Sequence, residues 1–157
     1  MACSSRRTPA ILLFALWFVS QASLSLAIDN PDVPDFVAEF EARSSRFEAR
    51  LREQAGGTRE TILAYAEYEK FLDQELNRAY TALAKRVAAE TRPKLAQSQR
   101  RWMEYRDAEF LFIAANWTVE TFGTSSAISR GGYRTKIIKD RTVTLLHYLK
   151  TYPQAGK

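Results

Sequence analysis

From about Arg59 to Glu90 the chain runs without a glycine or proline, and this stretch constrains the fold more than any other. Ile62, Ala66, Leu72, Leu76, Leu83 and Val87 recur along it at helical spacing. A helix this long with one apolar seam must lay that seam against other helices, so the chain reads as all-α. Thr91-Arg92-Pro93 ends the run, because the residue before a proline is pushed out of the helical region. Pro93 then suits the first turn of a following helix.

The remaining elements follow from the same signals. Phe36, Val37, Phe40, Phe47 and Leu51 mark an amphipathic first helix, with Asp35 placed to cap it and Gly56-Gly57 to end it. Thr58 is the expected cap of the long helix. The third helix carries Leu95, Trp102, Tyr105, Phe110 and Ile113 to about Asn116. Gly123 to Gly132 reads as a Ser/Gly/Thr loop. A last helix carries Ile137, Ile138, Val143, Leu145, Leu146 and Leu149 and stops at Pro153, with a strand over its β-branched residues as the alternative. The expected architecture is a small antiparallel bundle of about four helices, built round a hairpin of the second and third.

Within that hairpin, Trp102 and Arg106 share one face of the third helix, and an Arg beside a buried Trp needs a polar partner. With the turn centred near residue 92, Asn77 falls opposite Arg106, Tyr80 opposite Met103 and Asp73 opposite Phe110. The expectation is an inter-helix polar cluster of Asp73, Asn77 and Arg106, bordered by Tyr80, Trp102 and Asp107. Its role is structural.

The N-terminus has the pattern of an export signal. Arg6 and Arg7 precede a short apolar core from Ile11 to Val19, and Ser25-Leu26-Ala27 is a small-x-small cleavage site. The core is shorter than the ~20 residues of a membrane span, although an uncleaved anchor is the alternative. Arg6-Arg7 hints at twin-arginine export, but Pro9 and Ala10 interrupt the positions that follow and favour the ordinary route. Cleavage near Ala27 leaves a periplasmic or secreted protein without a stable membrane span. The removed segment, residues 1–27, holds two of the 23 Lys and Arg and none of the 18 Asp and Glu, so the formal charge falls from +5 to +3. That mild, mixed charge does not suit a nucleic-acid-binding surface. The segment also holds Cys3, the only cysteine, which lies before the apolar core and cannot carry a lipid after cleavage.

Chemistry has little to rest on. His147 is the single histidine and sits among Leu145, Leu146 and Leu149, where a core or boundary role outweighs a general base. Without a cysteine or histidine cluster no metal site is expected, and no cofactor is implied. Glu104, Asp107 and Glu109 on one helix read as salt-bridge formers rather than a glycosidase pair. No catalytic residue is assigned, and the protein reads as a non-enzyme. Trp102, Tyr105, Trp117 and Phe122 form a conceivable aromatic platform for a glycan, though Trp102 reads as core. The segment from Trp117 through the loop is where a binding protein would carry its contacts, and Trp117, Glu120, Phe122, Ser125 and Ser126 are the candidates.

Asp73-Gln74-Glu75-Leu76-Asn77 with Tyr80 and Leu83, Leu95-Ala96-Gln97, then Trp102 with Tyr105-Arg106-Asp107-Ala108-Glu109, resemble the LprI-like family of exported bacterial proteins. Gly131-Gly132 and Arg141-Thr142 look like its late elements, so the resemblance spans about Thr58 to Tyr152. It divides the chain into an export segment 1–27, a leader and helix 28–57, an LprI-like helical domain 58–152 and a tail 153–157. Family members carry cysteines where this chain has Phe110 and Tyr133, which implies an aromatic pair in place of a disulfide. The family takes its name from a lysozyme-inhibiting lipoprotein. The resemblance therefore implies a binding protein that inhibits a lysozyme or related peptidoglycan hydrolase by occluding its cleft. The alternative is a non-inhibitory envelope protein that binds cell-wall material or another envelope protein. Animal lysozymes are strongly basic, so a +3 chain gains no long-range steering and would depend on local acidity such as Glu120.

Overall fold

Asp35 opens the first helix as its residue type predicts: its Oδ1 accepts a hydrogen bond from the Ala38 N–H at 3.0 Å. The computed structural model describes residues 34–53 and 57–152. The export segment with its Ala27 cleavage point, Gly56 and Pro153 lie outside the described residues. The elements are α1 (Phe36–Glu53), α2 (Gly57–Arg86), α3 (Arg92–Asn116), a single turn α4 (Val119–Phe122), a 3-10 turn (Gly123–Ser125) and α5 (Ser126–Thr151). Four long helices make the fold, and none of the described residues forms a strand. No helix among them is long and apolar enough to cross a membrane.

The central pair is α2 and α5, not α2 and α3 as the short connection predicts. Arg134 reaches Glu69 at 2.6 Å, and Arg86 reaches the Leu149 carbonyl at 2.9 Å, so these two helices run parallel. Chain order alternates direction, which in a square bundle would set α2 and α5 on a diagonal. Here that diagonal is the closest contact, and the bundle is flattened around it. Helices α1 and α3 run antiparallel on its two sides.

Two physical reasons account for the pairing. Helix α5 offers a stripe of Ile138, Leu145, Leu146 and Leu149, all buried, against Leu72, Leu76, Ala79 and Leu83 of α2. Helix α3 has no such stripe: its apolar residues are spread around the axis, and only Gln99 and Ile113 are buried. The second reason is Gly131. A Cβ there would stand 2.5 Å from Cγ of Tyr65, so the close approach of α5 to α2 requires glycine. Gly131 and Gly132 accordingly lie inside α5, which begins at Ser126, and the expected loop to Gly132 is helical. The chain reversal falls at Gly123, whose φ of 62° is left-handed. Gly57, with φ 84°, opens α2 rather than ending α1, so Thr58 lies inside the helix and not at its cap. On α2, Ala66 is exposed and Ala64 and Tyr68 take its place in the buried seam.

Helix α1 is tied down on both sides. Phe40 is fully buried, and Phe47 stacks on Phe71 and Tyr68 at 4.6 and 5.5 Å. Lys139 of α5 donates to Glu48 at 2.7 Å and Glu41 at 2.9 Å, and Tyr68 donates to Glu48 at 2.8 Å. Glu75, buried on α2, accepts from Arg43 at 2.8 Å and Arg78 at 2.6 Å.

Candidate partner-binding surface

Helix α3 ends where Trp117 leaves the helical region, and Thr118 caps α4 by accepting from the Thr121 N–H at 3.4 Å. This turn and the start of α5 gather aromatic rings. Trp117 packs on Tyr133 at 4.5 Å, on Phe112 edge-on at 6.1 Å and on Phe122 at 6.4 Å. Arg130 secures the corner by donating to the Trp117 carbonyl at 2.6 Å. Trp117 itself is half-buried and serves as the anchor, while Phe112, Phe122 and Tyr133 are 58%, 45% and 45% exposed.

The apolar surface continues around the end of the bundle. Val119 and Leu63 are both more than half exposed, and they border a groove of about 450 Å³ whose walls include Ile62 and Ala127. Glu120 stands beside it on α4. Hydrogen bonds from its own backbone N–H and from the Thr118 side chain hold its carboxyl below the ordinary value, so it is ionised at neutral pH. Exposed apolar side chains at one end of the bundle, with an acid on the same turn, are suited to protein contact.

Among the expected contacts, Trp117, Glu120 and Phe122 lie in this surface. Ser125 is exposed but closes the turn by donating to the Phe122 carbonyl at 2.8 Å. Ser126 is fully buried at the wall of the groove bordered by Leu63 and Val119, because the segment is helical there rather than a loop. Leu63, Phe112, Val119 and Tyr133 were not expected. Their exposure depends on which face of α2, α3 and α5 the core leaves free, and no local signal carries that.

The expected polar lock takes a different form. Arg106 donates to its neighbour Asp107 at 2.9 and 2.8 Å, with its guanidinium 5.5 Å from the Trp102 ring and 5.8 Å from Phe110. Asn77 is exposed on the outer side of α2, beside Gln74 and Arg78. Asp73 is half-buried; burial raises its carboxyl above the ordinary value, against the opposing charges of Arg106 and Arg134. Tyr80 packs against the core. The register calculation therefore brings Asp73 within the field of Arg106 but makes no bond, because α5 takes the place beside α2.

The polar links between α3 and its neighbours come instead from α5. Arg141 donates to the Gln99 amide oxygen at 3.1 Å and the Ser98 hydroxyl at 3.2 Å, while its guanidinium lies 5.9 Å from Trp102. Arg134 bridges to Glu69 and covers Phe110 at 4.4 Å. Phe110 and Tyr133, expected as a pair, thus take separate partners: Arg134 for the first and Trp117 for the second. His147 is exposed rather than a core residue.

Residues 50–145 match the family model described as lysozyme inhibitor LprI. No curated protein and no solved structure matches the chain. The match covers more than half of the sequence, and the chain belongs to the LprI lysozyme inhibitor family.

Proposed function

We propose, from that membership, that this protein inhibits a lysozyme or related peptidoglycan hydrolase by seating the apolar end of its bundle in the enzyme's cleft. The exposure of Leu63 and Val119 at the end groove, with Phe122 stacked on Trp117 on the adjoining turn, is the observation that carries the reading. Burying such side chains on a partner removes apolar surface from water. Inhibition is steric and noncatalytic. Glu120, ionised at the rim, supplies a local attraction to a basic enzyme that the overall charge does not. The protein acts in the periplasm or outside the cell after cleavage near Ala27.

A lysozyme clearing assay titrated with the purified protein tests the reading. Inhibition should saturate at a fixed molar ratio. Phe122→Ala and Leu63→Ser should each weaken it about tenfold or more, as truncating a contact hot spot does. Undiminished clearing at large molar excess would sink the proposal.

A further inference from the structure

A second surface runs along the seam between α3 and α5, on the flank of the bundle rather than its end. Two adjoining grooves, of about 240 and 260 Å³, share Tyr105, Ile137 and Asp140 and so form one elongated trough. From Tyr133 to Thr144 at its two ends, α5 rises roughly 16 Å at 1.5 Å per residue. Tyr105 stands at the middle with 53% of its surface exposed, Trp102 lies toward one end, and the Trp117–Tyr133 pair closes the other.

Polar groups alternate with these rings. Glu109 comes from α3, and Lys136, Asp140 and Arg141 come from α5. Two acids and two bases leave the trough without net charge. Lys136 and Asp140 neutralise each other at 2.7 Å, and Arg141 is pinned by Gln99 and Ser98. A polyanion or a strongly basic peptide would find no complementary field here. A wholly apolar chain would leave the charged rim poorly solvated.

We infer that the α3–α5 trough binds a neutral, linear oligosaccharide. Aromatic faces match the C–H faces of pyranose rings, and paired donors and acceptors at the rim match their hydroxyl and amide groups. The elongated shape suits several sugar units in line. Tyr105 is the central stacking platform, and Asp140 and Glu109 are the acceptors for sugar hydroxyls. The trough meets the apolar end at the Trp117–Tyr133 pair, but Tyr105 lies along the flank and Leu63 at the end groove, so each reading has its own variant.

The test is titration of the protein with the N-acetylglucosamine tetramer, read by calorimetry and by the emission of its tryptophans, beside maltotetraose as a second neutral sugar. Saturable binding of at least one tetramer is expected, weakened about tenfold or more by Tyr105→Ala and restored by Tyr105→Phe, which keeps the ring. Lys70→Ala, on the exposed side of α2, should bind as the parent does. The inference is overturned if neither sugar binds at millimolar concentration or if Tyr105→Ala binds undiminished. It is equally overturned if Tyr105→Ala impairs lysozyme inhibition while the parent protein binds no sugar, since the trough would then be a protein contact. Loss of inhibition in Phe122→Ala with sugar binding intact reports on the apolar end alone.

Discussion

Helices α1 and α3 flank the same central pair, yet they are held in opposite ways. Helix α1 sinks Phe40 completely, stacks Phe47 on two rings and ties its charges to α2 and α5. Helix α3 is longer yet likewise buries two residues, Gln99 and Ile113, and it leaves Tyr105, Leu111 and Phe112 more than half exposed. One flank is tied closely to the central pair and the other keeps its rings at the surface. The family match begins at residue 50, so most of α1 precedes it, whereas α3 lies wholly within it.

Truncating one aromatic on each flank tests the contrast most severely. Phe40→Ala removes a fully buried ring and should cost about 3–5 kcal/mol in denaturant unfolding. Phe112→Ala, on the exposed side of α3, should stay within about 0.5 kcal/mol of the parent. Comparable losses at the two sites would erase the distinction.

An intermediate effect is expected from pH. The Lys139 hydrogen bond holds the Glu48 carboxyl below its ordinary value of 4.5, outweighing the burial that would raise it, and Tyr68 adds to the lowering. A depressed carboxyl contributes stability that is complete above its unfolded value and lost as pH falls through the folded one. Burial would lower the Lys139 ammonium, but the hydrogen bonds and charges of Glu48 and Glu41 raise it overall. Its contribution is present below 10.5 and lost as pH rises through the folded value. Melting temperature followed against pH should therefore fall on the acid side of pH 4.5, and Glu48→Gln should flatten that limb. An unchanged acid limb in the variant would remove the ionic part of the α1 attachment.

The smallest effect is expected where α2 faces α3. Burial raises the Asp73 carboxyl, so its favourable contribution exists below 3.8 and is lost as pH rises through the folded value. At neutral pH the charge weighs against folding, and Asp73→Asn should leave the melting temperature unchanged or slightly higher. A marked drop would mean that the attraction of Arg106 and Arg134 outweighs burial, restoring the lock expected from sequence.

That lock shows where local reading stops. Proline and apolar spacing located the four long helices, because those signals act within a few residues. The cap at Asp35 and Pro93 in the first turn of α3 are of this kind, whereas α2 ends at Arg86 rather than near Glu90 and Arg92 is already helical. The neighbour of α2 was misjudged because connection length says which helices can meet, not which stripe fits. Gly131-Gly132 was misread for a related reason: glycine marks a turn or a close approach, and only Tyr65 on another helix distinguishes them. Trp117, Glu120 and Phe122 were legible as candidates beside a helix end, whereas the burial of Ser126 follows from α5 beginning there.

The sequence by itself determined the helical class and the family, since helix signals and family motifs are written along the chain. Tertiary structure alone decided that α5 lies parallel to α2 and that α3 keeps its aromatic flank exposed. The physical reason is competition for one buried face. Two helices could cover α2, and the one with a continuous apolar stripe and a side-chain-free contact point took the place, leaving the other's rings at the surface.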